Sequence, residues 1–294
     1  MAPATPVAVS GVTLGARFLS KPTAPPKATT LTPGLRMPRF ARRLLTGLSF
    51  LVFAAGAGII SHLLVPRLRR RTRSLDEAAR ERERRAFFLR CNAWMVGWMR
   101  NSGLLSYSPP TLPDWLPNGP YVLIANHPSL IDVLVLKATV PGITCVVRAD
   151  FWRRWWLRPM LEASHDIVGP DGTQSEIGKT TVLDAFVERL SQGDPVLVFP
   201  EGTRSPDRGL RRFRRGAIEA AVRAKVPIVP VVVRVDPPTL KHGQPWWDIP
   251  SRRFVIEVEF LPLISTTADT DSAAVAKQLR RKFEARLAAM AASG

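Results

Sequence analysis

The residues best suited to chemistry stand in the segment NHPSLID, residues 126–132. His127 closes a short apolar run and precedes Pro128. Proline pushes the residue before it out of the helical region and suits the first helical position, so His127 is expected at a strand-to-helix turn, with a helix running from Pro128. Asp132 follows five residues later. On one continuous helix that spacing sets two side chains about 140° apart, whereas a turn at His127 lets the carboxylate fold back onto the imidazole. A His–Asp pair of this kind does general-base chemistry. The carboxylate fixes the tautomer and steadies the imidazolium, and the free ring nitrogen takes a proton. A lone His near an Asp is also what an ordinary helix cap looks like. There is no HExxH pattern or nearby third ligand, so no metal is expected, and no G-x-S-x-G elbow marks a serine nucleophile.

A second cluster, FPEGTRS at 199–205, ends another apolar run. Gly202 permits a tight turn, and Glu201, Thr203 and Arg204 are then displayed at the end of a strand, where open α/β sheets hold their ligands. Six arginines lie between 204 and 215, with Phe213 among them and Gly216 directly after. Such a run suits a phosphate-bearing ligand or a membrane surface, or is simply a solvated basic loop.

These clusters need a scaffold of alternating elements. YVLIANH, TCVVRA (144–149), PVLVFPEG and VPIVPVVVRV are β-branched or apolar runs that read as strands. FVIEVEF (254–260) alternates apolar and polar residues, as a half-buried strand does. Helices are expected from Pro128, near 175–192, at 216–224 and at 272–291. In the last of these Val275, Leu279, Phe283, Leu287 and Met290 form a buried stripe at spacings of four and three. Strands alternating with helices predict a layered α/β domain, a mixed sheet flanked by helices.

The ordered motifs resemble the 1-acylglycerol-3-phosphate acyltransferase (lysophospholipid acyltransferase) family. NHPSLID is similar to its His-x-x-x-x-Asp motif and FPEGTRS to its Glu-Gly-Thr-Arg motif. RRFRRGA (211–217) resembles the basic Phe/Gly segment that follows, and VPIVPV (226–231) the late proline motif, with Pro230 as its characteristic residue. The similarity runs from about residue 85 to about 265. One motif departs: where the family often carries an Arg, residues 163–172 read ASHDIVGPDG. The resemblance implies that His127, held by Asp132, deprotonates the free hydroxyl of a lysophospholipid. The oxygen then attacks the thioester of acyl-CoA or acyl-carrier protein. It implies an acceptor pocket built from Asn126, Ser129, Glu201, Gly202, Thr203, Arg204 and Arg215, with Pro230 in its wall and Arg204 on an anion. It implies no metal or redox cofactor. Because the motif-two Arg is missing, a lyso-aminolipid or a specialised glycerolipid acceptor stays open beside lysophosphatidic acid.

Upstream, the chain reads differently. Of its 294 residues, 42 are Lys or Arg and 24 are Asp or Glu, a net charge of +18. Residues 1–85 hold 16 basic and 4 acidic residues, while 86–294 hold 26 and 20, so the excess belongs mostly to the N-terminal part. A nucleic-acid-binding module would want that charge on its folded surface, so no nucleic-acid partner is expected. Two cysteines, Cys91 and Cys145, do not make a disulfide framework or a zinc site. Residues 1–40 are rich in Ala, Pro and Thr, lack acids, and read as disordered, with an organelle transit sequence as the alternative.

Residues 44–65 carry no formal charge and form a helix of about 33 Å, enough to cross a bilayer. A buried core helix or a shallow interfacial one fits the same residues. Nine arginines between 67 and 85 follow it, against Arg42 and Arg43 before it. This bias puts the main domain on the cytoplasmic side and the arginines on anionic headgroups. A second helix is expected over 74–103, capped by Ser74 with Glu77, its later half apolar and interfacial with Trp94 and Trp98. FWRRWWLR (151–158) and Trp246-Trp247 set Trp beside Arg in the same interfacial way, or else form a core Trp cluster. The expected organisation is therefore membrane-anchoring helices over 41–105 and a glycerolipid acyltransferase domain over 106–294, the protein being membrane-bound. The rival to an enzyme is a non-catalytic lipid-binding scaffold on the same fold.

Overall fold

The computed structural model describes residues 37–169 and 182–292. The stretch expected to be disordered thus lies almost wholly outside the described residues, as does the start of the helix expected near 175. In chain order the elements are α1 (Arg39–Ile59), a π-helical turn (Ile60–Leu64), α2 (Val65–Arg71) and α3 (Glu77–Asn101), then β1 (Leu105–Tyr107), β2 (Val122–Ala125), α4 (Asp132–Thr139) and β3 (Thr144–Val147). There follow α5 (Ala149–Trp152), α6 (Arg158–Ala163), β4 (Ile167–Val168), α7 (Val182–Ser191), β5 (Val196–Val198) and α8 (Gly216–Ala224). The chain ends with β6 (Ile228–Asp236), β7 (Phe254–Phe260) and α9 (Ser272–Ala292).

Seven strands form one mixed sheet in the order β1-β7-β6-β2-β5-β3-β4. From β6 to β4 all neighbours are parallel; β7 runs antiparallel to β6 and carries β1 parallel beside it. The central strands β2 and β5 are apolar at every position because both faces are covered. On β2, Leu123 and Ala125 face a core shared with Met95, Val96 and Met99 of α3 and with Val135 and Leu136 of α4. Val122 and Ile124 face the other core, with Phe186 of α7, Ile218 of α8, and Leu279 and Phe283 of α9. The expected stripe on α9 is therefore its buried face. The result is the predicted layered α/β domain.

Three local expectations change. The helix over 77–101 is capped by Asp76, whose carboxylate accepts from the Ala79 amide at 2.6 Å, so Ser74 lies outside the cap. The helix expected from Pro128 begins at Asp132 instead, because the Asp132 side chain takes the Ser129 amide and folds 128–131 into a turn. Residues 36–294 form one compact unit, and the apolar half of α3 belongs to its main core. The expected partition at 105 therefore does not fall at a gap in packing. The strands β1 and β4 were not expected at all.

The apolar N-terminal helix runs continuously from Arg39 to Arg71, the one helix among the described residues long and apolar enough to cross a membrane. One face packs on the domain along its length. Arg42, 2% exposed, donates to the carbonyls of Pro250, Gly103 and Leu104. Trp98 Nε1 donates to Ser49 Oγ, Ala57 packs with Leu157 and Leu161, and Ser61 Oγ accepts from the Met160 amide. The opposite face leaves Phe40, Leu44, Leu48 and Leu51 exposed.

Candidate active site

In a parallel sheet the strands all deliver their carboxyl ends to one edge, and β2, β5 and β3 lie side by side there. His127 follows β2, the Glu-Gly-Thr-Arg segment follows β5, and Arg148 follows β3. Sequence segments more than 70 residues apart thus meet at one place because of strand order alone.

At the end of β2 the Asn126 side chain replaces a peptide group in the ladder. Its Nδ2 donates to the Val233 carbonyl and its Oδ1 accepts from the Val233 amide, both at 2.8 Å. Asn126 is buried and held by both bonds, so it sets the height of His127. His127 Nδ1 lies 2.9 and 3.0 Å from the two Asp132 oxygens, with hydrogen-bond geometry met at Oδ2. The same Oδ2 accepts from the Ser129 amide at 3.0 Å. Asp132 is wholly buried, and the His127 side chain is 16% exposed, its ring stacked on Phe199 at 4.1 Å between centroids. With Nδ1–H given to the carboxylate, Nε2 keeps a lone pair. Ser129 Oγ is fully buried without a hydrogen-bond partner among the described residues.

The second loop is tied to the first by Glu201. Its Oε1 accepts from the His127 amide at 3.3 Å and from Ser205 Oγ, and its Oε2 accepts from the Arg211 amide at 2.9 Å. Ser205 returns the link, its amide donating to the His127 carbonyl at 2.7 Å. Glu201 was expected to face the acceptor. It is 3% exposed and turned inward, because three donors from two loops converge on it. Gly202 has φ +71°, a conformation that favours glycine, and the Arg214 guanidinium closes to 2.8 Å of where a Cβ would stand. Thr203 stands partly exposed at the turn.

Arg204 points along the site. Its Nη1 donates to the carbonyls of Leu240 at 2.7 Å and Lys241 at 2.9 Å, and the Leu240 carbonyl also accepts from the Leu130 amide. Burial lowers the Arg204 guanidinium from its ordinary value, Asp132 opposes this, and Arg148 adds to it. Arg215, expected in the acceptor pocket, is an exposed residue at the start of α8 whose Nε lies 3.8 Å from Glu219. Arg214, closed over Gly202, stands nearer the turn. Pro230 lies inside the sheet beside Ile124, one residue before the β6–β7 ladder begins, three residues below His127.

Sequence reasoning missed Phe199, Ser205, Arg148 and the Leu240–Lys241 carbonyls. An arginine directly after a β-branched run, as in TCVVRA, was the available signal for Arg148. Among the described residues one other carboxylate–imidazole group, Glu81, His165 and Asp194, offers metal-type ligands. Arg84 and Arg85 already neutralise it, which leaves no charge for a cation.

Comparisons with known proteins place the chain among acyltransferase-like sequences. Residues 108–234 match the sequence model of the acyltransferase family. The chain is 32% identical over 181 residues to human 1-acyl-sn-glycerol-3-phosphate acyltransferase alpha, covering 57% of this chain and 58% of that protein. It is 29% identical over 127 residues to a probable 1-acyl-sn-glycerol-3-phosphate acyltransferase of Mycoplasma pneumoniae, covering 41% of this chain and 47% of that one. The matches therefore span about half the length of these relatives. The fold is similar to the crystal structure of the 1-acyl-sn-glycerophosphate (LPA) acyltransferase PlsC from Thermotoga maritima. The TM-score is 0.68, with 16% identity over 87% of this chain and 98% of that one. The resemblance read from the motifs is shown by these matches.

Proposed function

We propose that this protein is a 1-acylglycerol-3-phosphate O-acyltransferase. The observation that carries the proposal is the His127–Asp132 pair, with Nδ1 engaged by a buried carboxylate at the carboxyl edge of the sheet. Nε2 takes the proton of the acceptor's free hydroxyl. The oxygen attacks the thioester carbonyl of acyl-CoA or acyl-carrier protein, and a tetrahedral oxyanion forms. Its collapse breaks the C–S bond, and the departing sulfur takes the proton back from the imidazolium, giving ester and free thiol. Asp132 stays ionised throughout and steadies the transient cation. No metal enters these steps.

Arg204 and Arg148 supply the positive charge for the acceptor's anionic head group. Arg204 keeps its remaining guanidinium nitrogens beyond the two carbonyls that hold it, and Arg148 is exposed apart from its pair with Asp150. A different anionic lysolipid or a lyso-aminolipid is the second reading, favoured by the missing arginine in residues 163–172.

Membrane association is part of the same reading. The exposed stripe Phe40, Leu44, Leu48 and Leu51, with Trp94, Trp155, Trp246 and Trp247, supports a helix lying in the bilayer surface with the domain held against it. The packing of α1 on the domain along its whole length favours this over a crossing. The basic run after the helix favours a domain on the cytoplasmic side.

The test is thiol release. The purified chain, given oleoyl-CoA and a panel of lysolipids, is expected to release thiol fastest with lysophosphatidic acid, and His127→Ala to abolish release while lipid binding persists. Full turnover in that variant would refute the base; no release with any acceptor would favour the scaffold.

A further inference from the structure

Beside the N-terminal end of α1 lies an open cleft of about 450 Å³, formed by Arg39 and Arg43 on the helix and by the loop after β6, including Pro237, Gln244, Asp248, Pro250 and Arg252. It is remote in sequence from the His127 and Glu201 loops and shares no residue with them. Its charge is unbalanced. Arg39 makes no hydrogen bond or ion pair among the described residues. Arg43 uses only Nε, donating to the Trp247 carbonyl at 3.2 Å. Arg252 is paired with Asp236, and Asp248 is the one acid in the lining, its carboxylate taken by Gln244. Three guanidinium groups thus surround a space large enough for a phosphate and its substituent, with one lining acid against them.

The surroundings identify the source of that phosphate. At about 100° per residue, Arg39 and Arg43 stand on one flank of α1, between the buried face that carries Arg42 and the exposed stripe of Phe40, Leu44 and Leu48. Phe40 and Leu44 are 66% and 67% exposed, and Trp246 and Trp247, on the loop that closes the cleft, are 44% and 51% exposed. Apolar side chains flank the cleft at the level where arginine reaches lipid phosphate and Trp settles at the headgroups. A soluble anion would need the cations but gain nothing from these apolar neighbours.

We propose that this cleft binds the phosphate of an anionic glycerophospholipid of the bilayer, a lipid held for anchorage and not for reaction. The proposal uses the membrane reading above but not the acyl-transfer reading. It differs from diffuse attraction to the many arginines of α2 in being a site of defined residues. The phosphate sits between Arg39 and Arg252, with Arg43 as third donor, and the lipid's chains lie along Leu44 and Trp246.

The test measures binding of the full chain to vesicles of phosphatidylcholine alone and of phosphatidylcholine mixed with phosphatidylglycerol. The wild type is expected to favour the mixed vesicles. Arg39→Gln with Arg252→Gln is expected to reduce that preference about tenfold, because it removes two of the three guanidinium donors that converge on one phosphate. These changes break only one exposed ion pair, so folding, checked by circular dichroism, is kept. Arg69→Gln with Arg70→Gln, an equal charge change at the other end of the helix, should cost clearly less. Inorganic phosphate should not displace the vesicles. An unchanged preference in the first variant, equal losses in both, or displacement by phosphate alone would each overturn the site. Equal binding to both vesicle types would overturn the site while leaving the membrane reading intact. No binding to either would overturn both.

Discussion

The Glu201 carboxylate accepts the backbone amide of His127 at 3.3 Å, so the residue that begins the second motif holds the main chain of the first. The two loops are one piece of structure. His127 is fixed from below by Asn126, from the side by Asp132 and from behind by Glu201, while its ring rests on Phe199.

His127→Ala and Asp132→Asn are expected to lower the rate of thiol release by roughly 10²–10⁴-fold, the range of a positioned base. Asp132→Asn keeps the volume but withdraws the anion opposite Nδ1. A loss of less than tenfold in both variants, by steady-state kinetics, would remove the pair from the mechanism.

Glu201 should behave differently. Glu201→Ala leaves three donors facing a void and is expected to cost roughly 2–4 kcal/mol of stability along with activity, whereas Glu201→Gln costs less. His127→Ala strips one partner from the buried Asp132 carboxylate and should cost less than Glu201→Ala, roughly 1–2 kcal/mol. Denaturant unfolding of the three variants checks this, and a stable, inactive Glu201→Ala would return Glu201 to direct contact with the acceptor.

Arg204→Gln and Arg148→Gln are expected to raise KM for an anionic acceptor by about tenfold each, with a smaller effect on KM for the acyl donor. Arg204→Lys should not rescue, because one ammonium cannot hold the Leu240 and Lys241 carbonyls and still face a ligand in the same geometry. The contrast between the two KM values is the decisive reading.

A pH effect on stability arises away from the site. Burial would raise the Asp194 carboxyl, but the hydrogen bond from His165 and the charges of Arg84 and Arg85 outweigh it and hold the group below its ordinary value. A carboxyl depressed in the folded state stabilises above its unfolded value, near pH 4, and loses that contribution as pH falls through the folded value. Unfolding measured at stepped pH should show stability falling below about pH 4, and Asp194→Asn should flatten that slope.

The two thiols should stay silent in a thiol-release assay. Burial pushes the Cys145 thiol well above its ordinary range, Asp166 adds to this, and Lys137 opposes it; burial also raises Cys91, against Arg90. Titration with a thiol reagent at pH 8 should leave Cys145 unreacted in the native protein and expose both thiols on unfolding.

The His–Asp pair and the Gly202 turn were legible because they rest on local rules: the residue before a proline, the reach of a five-residue spacing, the conformational freedom of glycine. The layered architecture was legible from alternation, and β7 and α8 were found at their observed bounds. What escaped depends on distant partners. Glu201 looked outward because its three donors come from residues 127, 205 and 211, and only strand order brings the first of them near. Asn126 and Arg215 were placed in the acceptor pocket by motif, but Val233 binds one and the start of α8 carries the other out into solvent. β1 and β4, with three and two residues, are too short for periodicity to register. Ser74 lost the cap to Asp76, two residues on, since either could start the same helix.

The loop that follows β6 is fastened at both ends by arginines. Arg204 grips its Leu240 and Lys241 carbonyls, and Arg42 and Arg43 grip Pro250 and Trp247. It acts as a tie-rod between α1 and Arg204. Any rocking of that helix against the sheet pulls on the carbonyls that aim Arg204, so on the membrane reading proposed above the tilt of the helix is transmitted mechanically to that guanidinium.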